Sequence, residues 1–556
     1  MSTTDPESGT REHPDTDERP AAGDPPAGTG GATAADGRPP GRTWALRGLG
    51  LVLGALTWLL LGLSETLPPD ARTVAAVGVL MATWWVTEAI PLSATALIPI
   101  VAFPAFGVVA VAEVTADYGD DIVFLFLGGF LIAIAMQKWH LHRRIALLTL
   151  RTVGTSPTRI VLGMMIATAF LSMWVSNTAT TLMMLPIALS VLALVVERVG
   201  TANDDVRPGA PLSETVRDPR VRTFGVGLVL SIAWSASIGG LGTLLGSPPN
   251  AIVAGYIRDQ MDSELSFLGW MQLGVPIVVV FVLLAWLIIT RVLFRTDLSE
   301  IPGGREMIQR ELDDMGPTSP AEKRVLAVFA GAAFLWVVPG ILSEFPAVEA
   351  VLPWLGDLDD TAIAIAAGLA LFLIPSATTP PDEPEPADGS RKYRMTLVWD
   401  DAQKGLPWGV LLLFGGGLAL AGAVSESGLD EFIGASVAGL GVLPILLLVA
   451  AVVAIVLLLT ELTSNTATAA TFIPVLGGVA LGIGADATTL LIPAALAATC
   501  AFMLPVGTPP NAIVFGSGVV TIGQMVRGGV VLNVVGVVLI TLFAWLIGGW
   551  ALGLQF

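Results

Sequence analysis

Cysteine, histidine and tyrosine are almost missing from this 556-residue chain, which holds one Cys, three His and three Tyr. A single thiol, Cys500, cannot make an internal disulfide. His13 lies near the N-terminus and His140 and His142 in a basic stretch, so no zinc site can be assembled from the sequence. Charge is scarce as well: Asp, Glu, Lys and Arg make up 13% of residues against 54% hydrophobic ones. With a mean hydropathy of +0.76, the chain falls outside the balance of soluble domains, and most of it is expected in lipid.

What is there is apolar sequence. Runs of roughly 20 residues, long enough for about 30 Å of hydrocarbon, recur from Trp44 almost to Phe556 and give about eleven spans plus two interrupted segments. The net charge is −18, and much of the acid lies before Trp44 and in polar loops rather than in the apolar runs; a high-salt host and an acidic tail are both consistent with it. Residues 1–43, rich in Pro, Gly, Asp and Glu and without a signal-peptide core, are expected to be a disordered acidic cytoplasmic tail.

Lys138, Arg143, Arg144, Arg151 and Arg159 cluster after one apolar run, whereas 111–121, 343–358 and 425–431 hold no Lys or Arg. The positive-inside rule therefore predicts a cytoplasmic N-terminus and, with an odd number of spans, an extracellular C-terminus.

Internal repetition is the most informative feature. SNTAT occurs at 176–180 and 464–468, GSPPNAIV at 246–253 is echoed by GTPPNAIV at 507–514, and FLGGFLIA at 126–133 by LFGGGLALA at 413–421. The order is the same in both halves, and a polar insertion near 201–221 lengthens the first copy. These are two copies of one unit, expected in opposite orientations, which is the inverted-repeat plan of many secondary transporters.

The prolines and glycines at Gly246, Pro248 and Pro249, and at Gly507, Pro509 and Pro510, cannot sit in an unbroken helix. Broken backbone at membrane depth is tolerated where it lines a cavity. Carbonyl and amide oxygens there suit a hard monovalent cation, while hydroxyls, Asn amides and helix N-terminal N–H groups suit an oxyanion. One SNT triplet alone could serve helix packing; twin triplets beside twin PPN breaks point to a transport site.

The segments SNTATTLMMLPIA, ELTSNTATAATFIPV and CAFMLPVGTPPNAIVFGSG resemble the signatures of the divalent anion/sodium symporter family, and WWVTEAIPLSATALIP and PWGVLLLFGGGLALA add to the likeness, which extends over 44–556. Thr499 stands where the signature usually has Ser, and Gly507 where many relatives have Ala. The resemblance implies an all-α polytopic membrane protein with two re-entrant hairpins, forming a homodimer that works by an elevator-type movement. It implies scaffold helices at 44–121 and 259–405, transport units at 122–258 and 406–520, and a last transmembrane helix at 521–556.

Carried over by position, one sodium site would use Ser172, Ser176, Asn177 and Gly246, and the other Thr460, Thr463, Asn465 and Gly507. The dicarboxylate would meet Asn177, Thr178, Ser247, Asn465, Thr466, Thr508 and Pro509. No Lys or Arg is nearby in sequence, so bound sodium would supply the positive charge that a dianion needs. No other cofactor and no nucleic acid is implied.

Glu88 reads as a helix-end residue, and Glu461 as a structural hydrogen-bond acceptor with proton coupling as the alternative. His140 and His142 read as loop residues that orient the membrane topology. FLGGF and LFGGG lack the Lys-Ser or Lys-Thr of a phosphate-binding loop and read as close helix packing. A sodium-independent exchanger or a sulfate carrier on the same fold is the alternative function. An intramembrane hydrolase is remote, since no His or Lys lies in an apolar run to serve as its base.

Overall fold

The computed structural model describes residues 40–556 except 65–66, 155, 200–211, 262, 296–303, 344, 346–347, 349–350, 356–357, 383–393, 438 and 440–441. Most of the expected tail and part of the polar insertion thus lie outside the described residues. Residues 40–43, assigned to the tail from sequence, begin the first helix, Pro40–Leu61.

Among the described residues, nine helices are long and apolar enough to cross a membrane, and five shorter apolar ones accompany them. The apolar sequence is divided more finely than hydropathy alone separates it, because hairpin arms and half-helices each form an element.

The repeat seen in three motifs extends to five elements. Helix Asp121–Lys138 is followed by the amphipathic Leu141–Val153 and by a hairpin of Pro157–Ser172 and Asn177–Val199. A broken helix, Pro219–Gly239 and Pro248–Met261, and then Phe267–Leu287 complete the unit. The second unit repeats the order as Trp408–Glu426, Leu429–Val437, Ile445–Thr460 with Asn465–Ile483, Ala487–Thr499 with Pro509–Gly516, and Ile522–Leu552. Local chemistry repeats too: Asp218 and Asp486 cap the broken helices, and Ser266 and Thr521 cap the helices that follow.

The glycine motifs mark close approaches, as expected. A Cβ on Gly128 would lie 2.5 Å from the backbone of Ala364, and one on Gly415 would lie 2.5 Å from the ring of Tyr118. Glu88 ends helix Pro69–Thr87 in a left-handed conformation (φ 47°), and Pro91 precedes the next short turn.

The basic stretch after Asp121–Lys138 does more than set topology. Lys138 pairs with Asp401 at 2.6 Å, His140 with Asp382 at 2.9 Å, Arg143 with Glu311 at 2.5 Å and Arg144 with Glu322 at 2.7 Å. Arg144 also donates to the carbonyl of Gly316 at 3.0 Å. These residues form a collar that ties the amphipathic helix to distant polar segments. His142 is buried against the Met136 carbonyl at 3.0 Å, and burial pushes its pKa down to about 4. For His142 a packing role therefore replaces the expectation that it merely orients the loop.

Candidate functional site

Each hairpin turns at its SNT motif, and each turn faces the gap of a broken helix. In the first unit Ser172 ends the first arm, is fully buried, and donates to the Ala236 carbonyl at 2.8 Å. One amide position of Asn177 lies 2.6 Å from Ser172 Oγ, 3.1 Å from the Ala236 carbonyl and 3.2 Å from the Gly246 carbonyl. With nitrogen at that position the amide donates to all three. With oxygen there, the Ser172 hydroxyl donates to it at 2.6 Å, and the Ala236 and Gly246 carbonyls lie beside it, so the position gathers oxygens of the kind a hard cation takes. Ser176 caps the second arm, its Oγ accepting from the Ala179 N–H at 3.3 Å.

The second unit repeats the geometry. Thr460 Oγ1 donates to Asn465 Oδ1 at 2.8 Å and lies 2.7 Å from the Ala498 carbonyl. Asn465 Nδ2 reaches the Thr499 carbonyl at 3.4 Å. Thr463 stands where the first unit has Val175, and its Oγ1 is 2.5 Å from Thr468 Oγ1 and 3.1 Å from the Leu459 carbonyl. Gly507 packs on the same turn, since a Cβ there would lie 3.1 Å from the Glu461 carbonyl.

The PPN asparagines hold the breaks in shape. Asn250 Nδ2 donates to the carbonyls of Gly240 and Thr243 at 2.8 and 2.9 Å, and Asn511 Nδ2 to those of Ala501 and Leu504 at 3.1 and 3.0 Å. Both asparagines are completely buried, so each pair of bonds satisfies carbonyls freed by the break.

The two units meet where Thr499 Oγ1 donates to Ser247 Oγ at 3.0 Å. Ser247 and Thr508 are buried, Thr466 is nearly so, Asn177 and Thr178 are half-buried and Pro509 is exposed. Thr508 caps the last half-helix, accepting from the Asn511 N–H. Asn177–Val199, Pro248–Met261, Asn465–Ile483 and Pro509–Gly516 therefore all begin around one place, and helix N-termini favour anions. A mainly apolar cavity of about 330 Å³ lies between helix Pro69–Thr87 and the second hairpin, where Val86, Leu459 and Phe472 line it together with Thr463.

All the sequence-predicted residues thus lie on the two hairpin turns and the two breaks. The carbonyls of Ala236 and Ala498 were missed, because any residue type supplies a carbonyl. The roles of Asn250 and Asn511 were missed although the repeated PPN displayed them. Thr499, noted only as a departure, is the bridge between the units.

The profile of the family described as sodium:sulfate symporter transmembrane region matches residues 42–553. The sodium-dependent dicarboxylate transporter SdcS of Staphylococcus saprophyticus is 41% identical over 511 residues, covering 91% of this chain and 92% of that protein. SdcS of Staphylococcus aureus is 41% identical over 513 residues with the same coverage. The crystal structure of the Alcanivorax borkumensis YdaH transporter is similar in fold, with a TM-score of 0.51 at 14% identity over 79% of this chain and 88% of that one. A match over nearly the whole length, motifs and breaks included, makes this chain a multi-pass membrane protein of the sodium:sulfate symporter family.

Proposed function

We propose that the protein is a secondary transporter that couples sodium entry to dicarboxylate uptake, with succinate, malate or fumarate as the cargo type. The supporting observation is the oxygen cluster at Asn177, where Ser172, Ala236 and Gly246 present oxygens to one amide position. An amide that donates to them in the empty site, and turns its oxygen inward when a cation arrives, suits reversible sodium binding. Thr460, Asn465 and Ala498 give a second such cluster. The substrate carboxylates would sit between the two, against Thr178, Ser247, Thr466, Thr508 and Pro509, with sodium as their counter-charge. The names of the staphylococcal relatives support the dicarboxylate, and the family description keeps sulfate as the second reading.

On this reading the hairpins and broken helices form a mobile unit against a scaffold of 44–121 and 259–405, in a homodimer moving as an elevator, with the N-terminus cytoplasmic and the C-terminus outside. The test is uptake of radiolabelled succinate into proteoliposomes under an inward sodium gradient, under equimolar potassium, and with unlabelled succinate inside. Uptake only with sodium supports symport. Uptake that needs only internal dicarboxylate makes the protein an exchanger, and sodium-dependent uptake of sulfate alone would replace the cargo.

A further inference from the structure

The two units are alike in their asparagines and hydroxyls but not in charge. Glu461, four positions before Asn465, is 3% exposed, and the equivalent position before Asn177 is Met173. The Glu461 carboxylate accepts from the N–H groups of Phe502 at 2.7 Å, Met503 at 3.0 Å and Leu504 at 3.1 Å, and from Asn533 Nδ2 at 2.8 Å. It joins three elements at once: the hairpin turn, the break of the second broken helix, and the last helix. In the first unit the turn and break are joined by a neutral bond, from Thr243 Oγ1 to the Met173 carbonyl.

Hydrogen bonds satisfy the lone pairs of a buried carboxylate but leave its charge. Among the described residues Glu461 has no ion pair, and its four donors are all neutral. The place for a compensating cation is the cluster on the same turn, where Thr460 and Thr463 flank Glu461 and Gly507 packs against its backbone.

We infer that Glu461 is a positioning residue whose charge strengthens sodium binding at the second cluster. The carboxylate orients the 502–504 peptides with their N–H groups toward itself, so their positive ends do not face the cation. It also adds a fixed negative charge that the first cluster lacks. This rests on the sodium-symport reading above.

The experiment compares the full-length protein with Glu461→Gln and Asn533→Ala. It reads half-saturating sodium from succinate uptake and from the sodium-dependent rise in melting temperature, with potassium as the ionic-strength control. Glu461→Gln removes the charge and is expected to raise half-saturating sodium by about tenfold or more, as loss of a nearby unit charge implies. The succinate KM at saturating sodium should stay nearly unchanged.

Asn533→Ala removes one donor and leaves the charge less satisfied, so half-saturating sodium is expected to fall. Opposite shifts support the inference. A rise in both variants indicates shape alone, and no change in either removes any role; both results overturn it. Should Glu461→Gln fail to reach the membrane, Asn533→Ala decides by the sign of its shift. If wild-type uptake ignores sodium, the symport reading falls, and the melting-temperature titration alone then decides the inference: opposite shifts support it, and wild type that sodium does not stabilise overturns it.

Discussion

Asn177→Ala tests the first cluster, and its consequences can be worked from the contacts. In the filled site the variant lacks one oxygen on the cation, a charge-assisted contact worth about 1.5–3 kcal/mol. At about 1.4 kcal/mol per tenfold, sodium affinity at that site should fall roughly 10- to 150-fold. The empty site loses contacts as well, and that loss offsets part of the first, so the fall should lie toward the lower end of this range. The Ala236 carbonyl keeps the Ser172 hydroxyl at 2.8 Å, so only the Gly246 carbonyl loses the amide, at about 1–3 kcal/mol. Folding and insertion should therefore survive while uptake at ordinary sodium disappears. The assay is succinate uptake against sodium concentration, with membrane insertion measured beside it, and Asn465→Ala is expected to behave alike. Normal transport by both variants, or a rise in succinate KM with sodium half-saturation unchanged, would refute the site.

Arg144→Ala strands the carboxylate of Glu322, which is 4% exposed, and should cost about 3 kcal/mol as for a broken buried pair. Its melting temperature should drop, and Arg144→Met with Glu322→Gln should recover most of the loss. His142 has a folded pKa of about 4, below the ordinary value of about 6.5, so the unfolded chain binds the proton first as pH falls. Its contribution is fully present above about pH 6.5 and is lost toward pH 4, at a slope of up to about 1.4 kcal/mol per unit. His142→Gln should flatten that part of the melting-temperature profile, and an unchanged slope would discount the burial argument. Gly529 packs against the second break, where a Cβ would lie 2.5 Å from Met503 Cα. Gly529→Ala should destabilise by about 1–3 kcal/mol through overpacking, read as a lower melting temperature.

The sequence shows the SNT turns and PPN breaks because each occurs twice, and repetition turns common residues into a pattern. It shows their side-chain oxygens and hides their backbone ones: nothing marks Ala236 or Ala498 as an acceptor until the hairpin brings Ser172 and Thr460 to them. Glu461 reads as an acceptor from its place in an apolar run, but its donors lie 41 to 72 positions away and cannot be named from sequence. Charge signs likewise suggest which loops share a side, while the pairing of Arg144 with Glu322, 178 positions apart, follows from folding. Hydropathy fails at the hairpin arms and half-helices for a related reason. Ile445–Thr460 and Ala487–Thr499 are shorter than a full span, and their ends are satisfied by neighbouring turns rather than by water.

The placement of oxygens and N–H groups bears on how sodium and anion could depend on each other. The hairpin turns and the breaks that carry the clustered oxygens also begin four helices, whose N–H ends favour an anion. A cation that fixes the Asn177 and Asn465 amides would fix those N-termini as well, and the Thr499–Ser247 bond would link one unit to the other. A lysine or arginine in the same place would attract the anion whether or not sodium were bound, and would permit transport without the ion. If sodium alone supplies the charge, as proposed above, affinity for the anion would rise and fall with sodium occupancy, and by linkage the anion would tighten sodium equally.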